Sequence, residues 1–138
     1  MKKLYILLIP LFCLFISCEK EASDYVKQAN KAIEKGDYQK AYNIYDEMVA
    51  NNPHRGIWLH DEQEAEYDNA ADKLKDTIIK SEIASAIEDS DGASNVTKIV
   101  YIIEERGNNS GTYYEYAIKI AKAAGNTELA DGISSVNE

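Results

Sequence analysis

Residues 25–53 read YVKQANKAIEKGDYQKAYNIYDEMVANNP, and the fold is decided there. Tyr25, Val26, Ala29, Ala32 and Ile33 fall along one face of a helix, predicting a helix from about Ala22 to Lys35. Gly36-Asp37 ends it, because glycine takes up the left-handed backbone of a helix terminus without steric cost. Tyr38, Ala41, Tyr42, Tyr45, Met48 and Val49 draw a second stripe, predicting a helix from Tyr38 to about Ala50. Asn51-Asn52-Pro53 stops that one, since proline disfavours helical backbone in the residue before it. Two helices joined by so short a turn run antiparallel, and small residues at fixed points let them approach closely.

Helical periodicity continues toward the C-terminus, and the whole domain reads as all-α with about six helices. Pro53 to Asp61 forms a loop that holds both histidines and the only tryptophan. A long third helix starts at Asp61, where Asp61 and Glu64 have capping-box spacing and Glu62 and Glu64 suit the positive end of the helix dipole. Its buried side carries Tyr67, Ala71, Leu74 and Ile78, then Ile83 and Ile87. The stripe shifts around Ile79, so a bend or a split is expected there. Asp89-Ser90-Asp91-Gly92 is the break. A fourth helix spans about Ser94 to Arg106, and Gly107-Asn108-Asn109-Ser110-Gly111 is a turn. Thr112 and Glu115 again have capping-box spacing before a fifth helix, which ends at Gly125-Asn126. A short sixth helix carries Leu129, Ala130, Ile133 and Val136.

Two segments share a register. Tyr25, Ala32, Gly36 and Ala41 recur 89 positions later as Tyr114, Ala121, Gly125 and Ala130. The first copy, with Ala29, Ala32, Gly36-Asp37-Tyr38, Ala41, Tyr45 and Pro53, resembles a tetratricopeptide repeat. It departs from that family at Gln28 and Met48, where the family prefers Leu and Ala. The second copy lacks the Tyr after its Gly-Asn, and the middle hairpin does not match. A single repeat of this kind cannot bury its own face and must stack. Three stacked hairpins, the last helix serving as a cap, are therefore expected, against the alternative of an irregular bundle holding one repeat-like hairpin. The resemblance implies a ligand groove lined by the first helix of each pair, which here includes Lys27 and Asn30. The carboxylate-clamp subtype of the family wants Lys one turn before the Asn, where this chain has Val26.

The N-terminus is of another kind. Lys2 and Lys3 precede an apolar run from Leu4 to Ile16, interrupted only by Pro10. A membrane span needs about 20 residues, so this run suits a secretory signal. Leu14-Phe15-Ile16-Ser17-Cys18 resembles the lipobox of bacterial lipoproteins, with Phe15 and Ile16 departing from its commonest form. The resemblance implies cleavage after Ser17, so that residues 1–17 are a signal peptide, and a diacylglyceryl lipid on Cys18 that holds the protein on the cell-envelope membrane, most naturally the outer membrane. Residues 18–24 would form a tether and 25–138 a single domain. The acidic run from Glu19 to Asp24 also resembles the tether that marks surface export in some Gram-negative groups, with a plain solvated linker as the other reading. Cys13 would leave with the signal peptide and Cys18 would carry lipid, which leaves the domain neither thiol nor disulfide.

Without Lys2 and Lys3, 13 basic side chains face 24 acidic ones, a net charge of −11. Nucleic-acid phosphates need Lys and Arg, so nucleic acid is not an expected partner. Neither is an anionic lipid surface along the flank of the domain. His54 and His60 with Asp61, Glu62 and Glu64 form the one cluster that could suggest a metal, but no HExxH is present, and a solvated loop with a capped helix start accounts for them. Asp89-Ser90-Asp91-Gly92 matches only part of a calcium loop. No nucleophile elbow, phosphate loop or dinucleotide fingerprint occurs. No cofactor is implied. These readings favour a protein-interaction module over an enzyme, the alternative being an enzyme or accessory subunit acting on envelope sugars or peptides. Ile57-Trp58-Leu59 is a candidate contact of three consecutive apolar residues. The loop is expected to fold back so that Trp58 plugs the end of the first hairpin, the competing reading being an exposed contact point.

Overall fold

A computed structural model describes residues 20–89 and 94–138; the signal segment, Cys18 and Ser90 to Gly92 lie outside the described residues. Within them the chain forms helices α1 (Ala22–Glu34), α2 (Tyr38–Ala50), α3 (Asp61–Glu88), α4 (Ser94–Arg106), α5 (Gly111–Ala123) and α6 (Thr127–Val136), with a 3₁₀ turn at Trp58–His60. No strand occurs among the described residues.

The α1–α2 and α5–α6 turns are the same local structure. Gly36 and Gly125 have φ of 71° and 77°. The Asp37 N–H donates to the Ala32 carbonyl and the Asn126 N–H to the Ala121 carbonyl, both at 2.9 Å. Each turn therefore closes its helix with a six-to-one bond across a left-handed glycine. The residue after the glycine then starts the next helix. The Asp37 side chain accepts from the Lys40 N–H and the Asn126 side chain from the Leu129 N–H, each at 3.1 Å. Tyr25, Ala32 and Ala41 are buried, as are Tyr114, Ala121 and Ala130. The 89-residue register read from the sequence thus marks two equivalent hairpins.

The helices stack as three antiparallel pairs. Hairpin α1–α2 packs on α3, α3 packs on α4 and α5, and α4 and α5 pack on α6. Among the described residues no helix of the first pair packs on a helix of the third. This nearest-neighbour pattern is the logic of a repeat array, in which each unit buries its face on the next.

Helix α3 is one continuous 28-residue helix, without the expected bend or split at Ile79. The stripe shifts because its neighbours change. Tyr67, Ala71, Leu74 and Ile78 face the first hairpin along the N-terminal part; Ile83 and Ile87, on nearly the opposite side at 100° per residue, serve the C-terminal part. Ile78 and Ile79 are both fully buried, which happens where a helix is covered from two sides. The largest buried side chains, Met48, Ile78, Ile79, Ile83, Ile99, Ile102, Ile103 and Ile133, run through all three pairs as one core.

Helix caps differ from the sequence reading in two places. Asp61 and Thr112 are already helical, and the residues at the N-cap positions are His60 and Ser110. Asp61, Glu62 and Glu64 instead occupy the first turn of α3, where the helix dipole favours acids. Helix α1 begins at Ala22 as read from the sequence; Glu21 is its N-cap, and the Glu21 N–H donates to Asp24 Oδ2 at 3.2 Å. Local hydrogen bonding thus draws residues 21–24 into the folded domain.

Candidate functional site

Two regions of the surface gather groups with chemical potential. The first lies along α3, between the first hairpin and the α4–α5 turn. Helix α2 runs antiparallel to α3 and is fastened to it by three tyrosine hydroxyls. Tyr38 donates to the Ser81 carbonyl at 3.2 Å, Tyr42 to Glu82 Oε2 at 2.7 Å, and α3's own Tyr67 back to the Met48 carbonyl at 2.8 Å. Arg106, in the last turn of α4, lies over the Tyr42 ring with its guanidinium carbon 4.2 Å from the centroid, and its Nη2 donates to Gln39 Oε1 at 3.0 Å. A cation over an aromatic face and an acid on its hydroxyl hold Tyr42 from both ends.

Across from this, Tyr113 of α5 donates to Asp76 at 3.1 Å, and Asp76 also pairs with Lys80 at 3.0 Å. Between the two sets lies a hollow of about 210 Å³ lined by Asp72, Lys75, Ile79, Arg106, Gly107, Asn108 and Tyr113. Small-molecule pockets usually measure about 300–1,000 Å³, so the hollow suits one side chain of a larger ligand better than a cofactor. Both charge signs line it. Burial raises the pKa of Tyr42, and Glu82 raises it further by hydrogen bond and charge, against a lowering by Arg106. Tyr113 is pushed up to about 12, first by burial and then by its bond to Asp76. Both hydroxyls are therefore neutral donors at ordinary pH.

The second region is the end of the first hairpin from which the N-terminal segment leaves. His54 Nε2 lies 3.5 Å from Glu21 Oε2, and the His54 ring meets those of His60 and Tyr67 edge-on, with centroids 5.7 and 6.4 Å away. Asn52 organises the loop: its side-chain oxygen accepts from the His54 N–H at 2.9 Å, and its amide donates to Asp68 at 3.1 Å. An open cleft of about 360 Å³ lies among Glu21, His54, Gln63, Glu66 and Tyr67. Among the described residues no three His, Cys, Asp or Glu side chains converge as a metal would require.

The structure corrects the reading of the Trp loop. Trp58 does not plug the hairpin: it is 78% exposed, with Leu59 at 70% and Ile57 at 42%. The cleft at that end of the hairpin is open and lined mostly by polar side chains, Glu21, His54, Gln63 and Glu66 among them, which offer the indole no apolar slot. Lys27 and Asn30 are exposed on the side of α1 that faces away from the core. At 1.5 Å per residue they lie about 9 and 14 Å along the helix from Glu21, so the structure does not join them to Ile57-Trp58-Leu59 in one site. The sequence reading missed the cluster of Tyr42, Arg106 and Glu82. Tyr42 lies 40 residues before Glu82, and Glu82 lies 24 before Arg106; no motif links them, and only the stacking of α2, α3 and α4 assembles them.

No family model matches the chain, and no curated protein or solved structure matches it either.

Proposed function

We propose that the chain is a lipid-anchored protein of the bacterial cell envelope whose stacked-hairpin domain is a protein-interaction module. The anchor rests on Lys2-Lys3, the apolar run from Leu4 to Ile16, and Cys18 at its end. The interaction role rests chiefly on the hollow along α3. It takes residues from α3, α4 and α5, carries both charge signs, and has room for a side chain. A stacked-hairpin array whose units touch only their neighbours offers such hollows along its length, and extended peptides are the ligands that fit them. The tetratricopeptide-like residues of the first hairpin support the same role, with Lys27 and Asn30 on the outer face of α1 as a second contact surface.

Site-specific photo-crosslinking tests this reading. A crosslinker placed at Asn108 or Asp72, both exposed beside the hollow, is expected to give discrete protein adducts in intact cells. One placed at Glu128 on α6 is expected to give none. Equal labelling from all three positions, or none from any, would remove the hollow as a binding site. The competing reading is an enzyme or accessory subunit acting on envelope sugars or peptides, and no cluster among the described residues singles it out.

A further inference from the structure

We propose that Ile57-Trp58-Leu59 is a membrane-contact loop, which inserts into the headgroup region of the bilayer that holds the lipid on Cys18. The proposal rests on the lipoprotein reading and adds to it a fixed orientation of the domain. Three observations carry it.

The first is exposure. Ile57, Trp58 and Leu59 are three consecutive large apolar side chains left in solvent, in a chain whose other exposed large apolar residues, Tyr101 and Val136, stand singly among the described residues. Isolated exposed apolar residues are ordinary; contiguous ones mark contact surfaces. The second is order. The loop is held in shape, with the His60 N–H donating to the Ile57 carbonyl at 2.7 Å and the His54 N–H to Asn52 at 2.9 Å. A preformed turn presents its side chains without a large ordering cost on insertion.

The third is position, and it selects the occupant. Glu21 touches His54 at 3.5 Å, and His54 packs on His60, the residue after Leu59. Cys18 stands three residues before Glu21, and three residues of chain reach at most about 11 Å. Because α1 begins at Ala22, with Glu21 as its N-cap, only a few residues separate the lipid from the domain. A lipid seated at the bilayer surface therefore keeps the 57–59 loop within reach of that surface. Tryptophan is the residue most at home in the interface, and such contacts sink about 5–10 Å into the headgroup layer. Asp61, Glu62 and Glu64 follow directly in the first turn of α3, so the matching surface is zwitterionic rather than anionic.

Trp58 is the only tryptophan, so its fluorescence reports the loop alone. The lipidated mature protein is reconstituted into phosphatidylcholine vesicles, some containing brominated acyl chains, and mass spectrometry first establishes the lipid on Cys18. The expected result is blue-shifted emission, quenching by the brominated lipid, and acrylamide quenching weakened about threefold relative to the same protein in urea. Leu59→Asp, at an exposed position that the fold does not need, is expected to return Trp58 to acrylamide while leaving the lipid on Cys18 and the helical content unchanged. Absence of lipid on Cys18 would overturn the anchor reading itself. A lipidated protein whose Trp58 stays red, open to acrylamide and untouched by brominated lipid would overturn only the membrane-contact loop. Shielding of Trp58 in native envelopes but not in vesicles would overturn it too, and would assign the loop to a protein partner.

Discussion

Replacing Tyr67 with phenylalanine removes one oxygen atom and tests how the first hairpin is fixed to the rest of the domain. Tyr67 is 3% exposed, and its hydroxyl donates to the Met48 carbonyl at 2.8 Å. Met48 lies in the last turn of α2, which ends at Ala50, and carbonyls there have no helical N–H to accept from. Met48 is itself fully buried, so water does not substitute easily. Tyr67→Phe leaves that carbonyl unpaired, at a cost of about 1–3 kcal/mol, a sizeable part of a domain's total of about 5–15 kcal/mol. At roughly 4 °C per kcal/mol for a domain of this size, Tm should fall by roughly 4–12 °C. Thermal unfolding followed by circular dichroism measures it. Tyr101→Phe, at a position 60% exposed, is the control, and its stability should stay within about 0.5 kcal/mol of wild type. If Tyr67→Phe melts with wild type, the hydroxyl does not cap α2 and the join between α2 and α3 is not as described.

Ala41 is fully buried between helices, and Ala41→Glu should cost several kcal/mol as an unpaired buried charge; unchanged melting would contradict the packing of the hairpin. Tyr67 and Tyr113 are both raised from 10.0 to about 12, chiefly by burial. Since the neutral form is favoured in the folded state, stability is whole below pH 10 and is lost as pH climbs from 10 toward 12. At about 1.4 kcal/mol per pH unit per group, these two remove roughly 3 kcal/mol at pH 11, with Tyr42 acting in the same direction. Tyrosinate absorbance from these side chains should therefore appear together with loss of helix, and their ionisation at pH 10 in an intact fold would contradict the account. Cys18→Ala should abolish labelling by radioactive palmitate and leave an unprocessed precursor; a variant that matures to the wild-type mass would refute the anchor.

The helices and the two equivalent turns were legible in the sequence because they are local. A stripe at helical spacing and a glycine that can turn left-handed act over a few residues, and Tyr25, Ala32, Gly36 and Ala41 carry that information themselves. What surrounds a helix is not local, and there the sequence misled. The stripe shift at Ile79 has two physical causes with one signature: a bent helix, or a straight one covered on different sides by successive neighbours. Only the stacking of the first hairpin and of α4–α5 on α3 decided for the second. The fate of Trp58 was open for the same reason. An apolar loop residue is buried when an apolar gap exists to receive it, and here the cleft at the hairpin end is open and lined chiefly by Glu21, His54, Gln63 and Glu66. Likewise Tyr42, Glu82 and Arg106 meet only because three helices pack side by side, so no spacing along the chain could have paired them. The sequence by itself determined which segments are helical and where they turn; tertiary structure alone decided which faces are covered, which are left to solvent, and which distant side chains share a site.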